Sequence, residues 1–115
     1  MDLTGDQLAD AANAMVTMKA RFFGRGCDEA KAYVNDDLLV IVMRRCFLQF
    51  EEELIKRDRE DAVRGVRLAW QAELAPEITS RIEEITGMKV RDYHSQVMTR
   101  ADVAVEMFLL EAQRG

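Results

Sequence analysis

Arg59–Gly87, REDAVRGVRLAWQAELAPEITSRIEEITG, decides how the rest of the chain is arranged. At about 100° per residue, Val63, Val66, Trp70, Leu74, Ile78, Ile82 and Ile85 fall into one apolar stripe, while Glu60, Asp61, Arg64 and Glu83 point mostly elsewhere. Side chains three and four apart share one side of a helix, so the stretch predicts a long amphipathic helix lying on a sheet or on other helices. Gly87 can adopt the left-handed conformation that closes a helix, and the strand-like MKV follows at once. Pro76 removes one backbone donor and crowds the preceding turn, which predicts a kink near Glu73–Pro76. Arg67 and Arg81 fall inside the stripe. Each guanidinium either snorkels to water or a glutamate, or, for Arg67 in particular, is a partly buried cation that takes a carboxylate or small anion.

Outward from that helix, Leu8, Ala11, Ala12, Met15, Met18 and Phe22 recur at helical spacing after Thr4 or Asp6, either of which can cap a first helix over residues 4–23. Its methionines read as core, with an adaptable partner groove as the alternative. Gly24, Arg25 and Gly26 end it. Lys19, Arg21 and Arg25 suit the negative end of a helix dipole, and a sharper reading makes the Gly24–Gly26 loop an anion site with Arg25 supplying charge.

Residues 30–44, AKAYVNDDLLVIVMR, predict a hairpin turning at Asn35–Asp37, and residues 88–110 predict a second, turning at Thr99–Asp102. Leu38–Met43 is apolar at every position, and Val103–Leu110 is nearly so. Half-exposed strands alternate, so both runs call for cover on two faces. Helices of the same chain can supply one cover and a second subunit the other. Leu39, Ile41, Ala104, Phe108 and Leu110 are the interface candidates from this pattern. The alternation slips near Asp92, which predicts a bulge. Between the hairpins, Phe47, Phe50 and Leu54 return to helical spacing before the charged KRDRED. The fold class that follows is α+β: two hairpins forming a four-stranded antiparallel sheet, packed by an N-terminal helix and a long kinked central helix.

Composition narrows the function. A chain of 115 residues suits one domain, 1–115. Its net charge of −5 argues against nucleic acid and anionic membranes as partners, and no apolar run is long enough to span a bilayer. Cys27 and Cys46 lack C-x-x-C spacing, so the expectation is reduced thiols in a cytoplasmic protein. Glu51, Glu52 and Glu53 fan around a helix and the chain has a single histidine, so neither metal nor cofactor is expected. His94 and Ser95 could form half of a catalytic pair, but neighbours in a strand face opposite ways. An enzyme would have to use Cys27, Cys46 or His94; no convincing catalytic constellation appears.

Several of these residues together resemble the MpsC-like family, over about Gly24–Leu110. Gly24, Arg25 and Gly26 look like its GKGP-type loop, with Cys27 in place of proline. Glu51 and Leu54 match its E-x-x-L element, although Arg45–Gln49 replaces the usual Gly-x-Leu-Thr-Pro lead-in. Arg67, Pro76, Glu83, Glu84, Thr86, Gly87 and Val90 fit its long helix ending in E-E-x-T-G-x-x-V. His94 and Ser95 fit an H-S-D element whose aspartate is here Gln96, and Phe108 and Leu110 fit its terminal strand. The family is named after a component of a sodium-translocating, membrane-potential-generating system. The resemblance therefore implies, at most, an accessory or regulatory subunit with a membrane-protein partner.

Two functions follow as expectations. The first is a non-enzymatic cytoplasmic interaction or accessory protein, homo-oligomeric, with self as a partner. The second is a small sensory domain that binds an anionic group through Arg25, Arg67 and the Gly24–Gly26 loop, near His94 and Ser95.

Overall fold

Thr4 starts the first helix through a reciprocal cap. Its hydroxyl accepts from the Gln7 amide at 3.1 Å, while the Gln7 side-chain oxygen accepts from the Thr4 amide at 2.8 Å. The resulting helix α1 (Gly5–Phe23) is closed by Gly24 at φ 80°, whose N–H donates to the Ala20 carbonyl. The computed structural model describes residues 2–112. The buried face of α1 is Ala11, Ala12, Met15 and Lys19; Phe22, placed in the stripe by spacing, is exposed, and Phe23 turns inward instead.

The two hairpins form as their turn residues predict. β1 (Glu29–Asn35) and β2 (Leu38–Arg44) are joined by Asp36 and Asp37, with Asp36 at φ 54°. β3 (Met88–Met98) and β4 (Val103–Ala112) turn at 99–102, and their register shifts between Val90 and Asp92 where the alternation slips. The hairpins join through β2 and β4 into one antiparallel sheet ordered β1-β2-β4-β3. Asp102 secures the joint. Its carboxylate accepts from the amides of Cys46 and Phe47 at 2.9 and 3.2 Å, and its carbonyl accepts from Arg45.

The short α2 (Gln49–Lys56) leads into α3 (Glu60–Thr86), one helix that runs through Pro76 and is closed by Gly87 at φ 70°. The Thr79 hydroxyl donates to the Ala75 carbonyl at 2.9 Å just beyond the proline. The buried stripe of α3 is Val63, Arg67, Trp70, Ile78, Ile82 and Thr86; Val66 is exposed. Arg67 therefore occupies the core, whereas Arg81 lies outside and pairs with Glu84 at 3.0 Å.

All the main packing lies on one side of the sheet. Met15, Trp70, Ile78 and Ile82 from the helices meet Leu39, Ile41, Met43, Ala104, Phe108 and Leu110 from β2 and β4. This corrects the interface candidates: Leu39, Ile41, Ala104, Phe108 and Leu110 are covered by the chain's own helices and are all but inaccessible. Strand alternation turns the other set, Leu38, Val40, Val42, Val105, Met107 and Leu109, to the opposite face.

The cysteines also differ from expectation, because Cys27 and Cys46 are joined in a disulfide. Hairpin register is the reason. Glu29 pairs with Arg44, so stepping two residues outward on each side of this antiparallel ladder sets position 27 opposite position 46. The bond ties the α1–β1 loop to the β2–α2 link.

Candidate functional site

Arg67 is the first of four charged side chains buried between the helices and the sheet. From α3 it reaches α2, where Nε donates to Glu51 Oε2 at 2.9 Å, Nη2 donates to Oε1, and Nη2 also donates to the Cys46 carbonyl at 3.0 Å. Its guanidinium lies 3.9 Å from the centre of the Phe23 ring. Glu51 Oε1 additionally accepts from the Leu48 amide, so one carboxylate both starts α2 and balances the arginine.

Lys19 and Glu106 form the second pair. Their charged atoms stand 3.9 Å apart, and the Lys19 ammonium lies 4.2 Å from the centre of the Trp70 ring. Burial pushes the Lys19 ammonium down to about 8, with Glu106 opposing the shift and Arg67 adding to it. Burial pushes the Glu106 carboxyl up, opposed by Lys19, Ser95 and Tyr93. The Tyr93 hydroxyl, 3.3 Å from Glu106 Oε2, is itself raised by burial and then by the Glu106 charge. Sequence reasoning missed this pair. Glu106 is the sole charge in Val103–Leu110, and Lys19 lies one turn beyond Met15 on the buried face of α1; both were available signals.

The residues proposed for anion binding already hold acceptors. Arg25 donates to the carbonyls of Gly26 and Arg45 and to Asp28, while Arg67 is occupied by Glu51. Gly24 caps α1, and a side chain at Gly26 would stand 2.7 Å from a methyl of Val16, so both glycines have structural causes. His94 is exposed beside Asp92 at 3.5 Å, whereas Ser95 turns inward beside Glu106. The structure does not bring the histidine and serine together. Among the described residues, no group of three or more His, Cys, Asp or Glu is placed to hold a metal ion.

The outer face of the sheet has a different character. Leu38, Val40 and Val42 on β2 lie beside Leu109, Met107 and Val105 on β4, six half-buried apolar side chains in two adjacent rows. None of them belongs to the core beneath the helices. Tyr33, opposite Val40 on β1, extends the apolar rows, and exposed polar residues border them, with Lys31 and Asn35 on β1 and Asp92, His94 and Gln96 on β3. An apolar centre with a polar rim is the anatomy of a contact surface.

The family model described as Na+-translocating membrane potential-generating system (MpsC) matches residues 6–112. The chain belongs to the MpsC family. No curated protein and no solved structure matches it. In this MpsC chain the E-E-x-T-G-x-x-V stretch builds the turn from α3 into β3. Glu83 accepts from the Val90 amide at 2.8 Å, Thr86 accepts from the Met88 amide at 3.1 Å, and Gly87 supplies the left-handed cap. Likewise Glu51 and Arg67 are joined to each other in the core. Among the described residues, no helix is long and apolar enough to cross a membrane.

Proposed function

We propose that this MpsC chain is a non-enzymatic interaction or accessory protein that works within a homo-oligomeric assembly, using the outer face of its sheet as the contact surface. The observation that carries this reading is the double row Leu38, Val40, Val42, Val105, Met107 and Leu109, which no element of the described chain covers. A small domain gains nothing for its own core from six apolar side chains on that side. Covered by a partner, each contributes to association through the apolar area removed from water.

The family description supports placing such an assembly beside a membrane-potential-generating system, with this chain as a subunit or regulator that does not itself span the bilayer. The ion pair that engages Nε and Nη2 of Arg67 with Glu51 favours a structural use of the buried charges over ligand capture. Sedimentation velocity at micromolar concentration, together with affinity purification from the native host, tests the reading. The expected result is an oligomer, with a membrane-bound component retained on the wild-type chain and lost from Met107→Lys. A stable monomer that retains nothing contradicts it.

A further inference from the structure

We infer that the outer sheet face docks against the same face of a second copy, giving a two-fold dimer of two packed sheets. This rests on reading the face as a contact surface, and it names the occupant. Three properties of the face point to a copy of itself.

The first is area. Four strands spaced about 4.8 Å apart, two of them with seven residues at about 3.3 Å each and two longer, present roughly 500 Å² per copy. Two copies together remove on the order of 1,000 Å², the lower bound for a specific interface.

The second is charge. An isologous contact sets one patch against itself, so a patch of one sign would repel its copy. The chain as a whole carries −5, yet this face carries Lys31, Arg44 and Lys89 against Glu29, Asp92 and Glu111, with Arg91 at the bulge paired to Glu111, around a centre with no charge at all. The acidic excess lies elsewhere, and the face is of mixed sign and close to neutral, so a copy meets it without strong net repulsion. An anionic lipid surface would need a basic face in its place.

The third is shape. Val40, Val42 and Val105 are β-branched, and Leu38, Leu109 and Met107 complete a continuous layer on neighbouring strands. Two such faces interleave at about 10 Å with their strands within about 30° of each other, as sheets do in sandwiches. Each sheet then has helices on one side and its partner on the other, which is the two-sided cover that the uninterrupted apolar runs of β2 and β4 require.

Sedimentation equilibrium on the full chain tests this, with Val40→Lys and Met107→Lys as face variants and Phe22→Ser as a control on the helical layer, where Phe22 is exposed. Circular dichroism establishes that each variant is folded. The expected result is a wild-type dimer, a dissociation constant raised by about 100-fold or more in either lysine variant because an ammonium would be buried unpaired, and no change for Phe22→Ser. A wild-type dimer that persists in both lysine variants overturns the sheet-face contact, here and in the proposed function, and leaves only the homo-oligomeric assembly itself standing. A wild-type chain that stays monomeric overturns the inference, and binding of that monomer to phosphatidylglycerol vesicles, lost in Met107→Asp, would assign the face to lipid.

Discussion

Arg67 on α3 and Glu51 on α2 form a two-pronged ion pair with side chains 2% and 1% exposed, and this pair fixes where the short helix lies on the long one. An arginine in an apolar stripe is tolerable only because the planar guanidinium meets both carboxylate oxygens and a backbone carbonyl. Removing either partner leaves a buried charge uncompensated. Arg67→Met or Glu51→Leu is therefore expected to cost about 3–5 kcal/mol, and the double variant Arg67→Met with Glu51→Leu to cost much less than the sum of the two single changes. Urea unfolding of the four proteins measures the coupling; additive losses would show that the pair is not a unit.

The Cys27–Cys46 bond closes a loop of sequence separation 19, and the chain-entropy argument assigns such a cross-link about 3 kcal/mol of stability. Thiol titration of the denatured, unreduced protein is expected to find no free thiol, and reduction to release both cysteines. Cys27→Ala with Cys46→Ala should lower the denaturant midpoint by the corresponding amount. Two titratable thiols in the unreduced protein would contradict the bond.

Lys19 and Glu106 predict a stability profile with two opposed limbs. The Lys19 ammonium titrates near 8 when folded and near 10.5 when unfolded, so the unfolded chain holds more protons between those values and stability rises with pH across that window. The Glu106 carboxyl is raised on folding, so the folded chain holds more protons above 4.5 and stability falls as pH rises from there. Denaturant unfolding from pH 4 to 10.5 is expected to show both limbs, on the order of a few kcal/mol for Lys19. Lys19→Met should abolish the alkaline rise and Glu106→Gln the acid fall. An alkaline rise unchanged in Lys19→Met would place its origin elsewhere.

Much of the fold was legible because its signals are local. Asp36–Asp37, the slip at Asp92, Thr4, and Gly87 each mark a turn, bulge or cap within a few residues of the backbone they shape. The α+β class and the four-stranded antiparallel sheet followed from them. What resisted reading depends on tertiary position. β2 and β4 are apolar at nearly every residue, so a period of two identifies two faces without saying which one the helices cover; Leu39, Ile41, Ala104, Phe108 and Leu110 took the wrong side for that reason. Glu51 and Arg67 stand sixteen residues apart on different helices, and no local spacing pairs them. The cysteines were within reach, since a two-residue turn at Asp36–Asp37 sets the register that brings Cys27 to Cys46.

Met107 sits near the middle of the outer face, paired with Val40 on one side and His94 on the other, and its methyl group reports directly on whether that face is covered. The decisive measurement is broadening of the Met107 methyl resonance by a soluble paramagnetic probe, followed as protein concentration rises through the association range. Progressive protection of Met107, with the half-exposed Met18 methyl on α1, on the helical side, still broadened, is the predicted result. A Met107 methyl as open to the probe in the associated protein as in the dilute one would contradict the account.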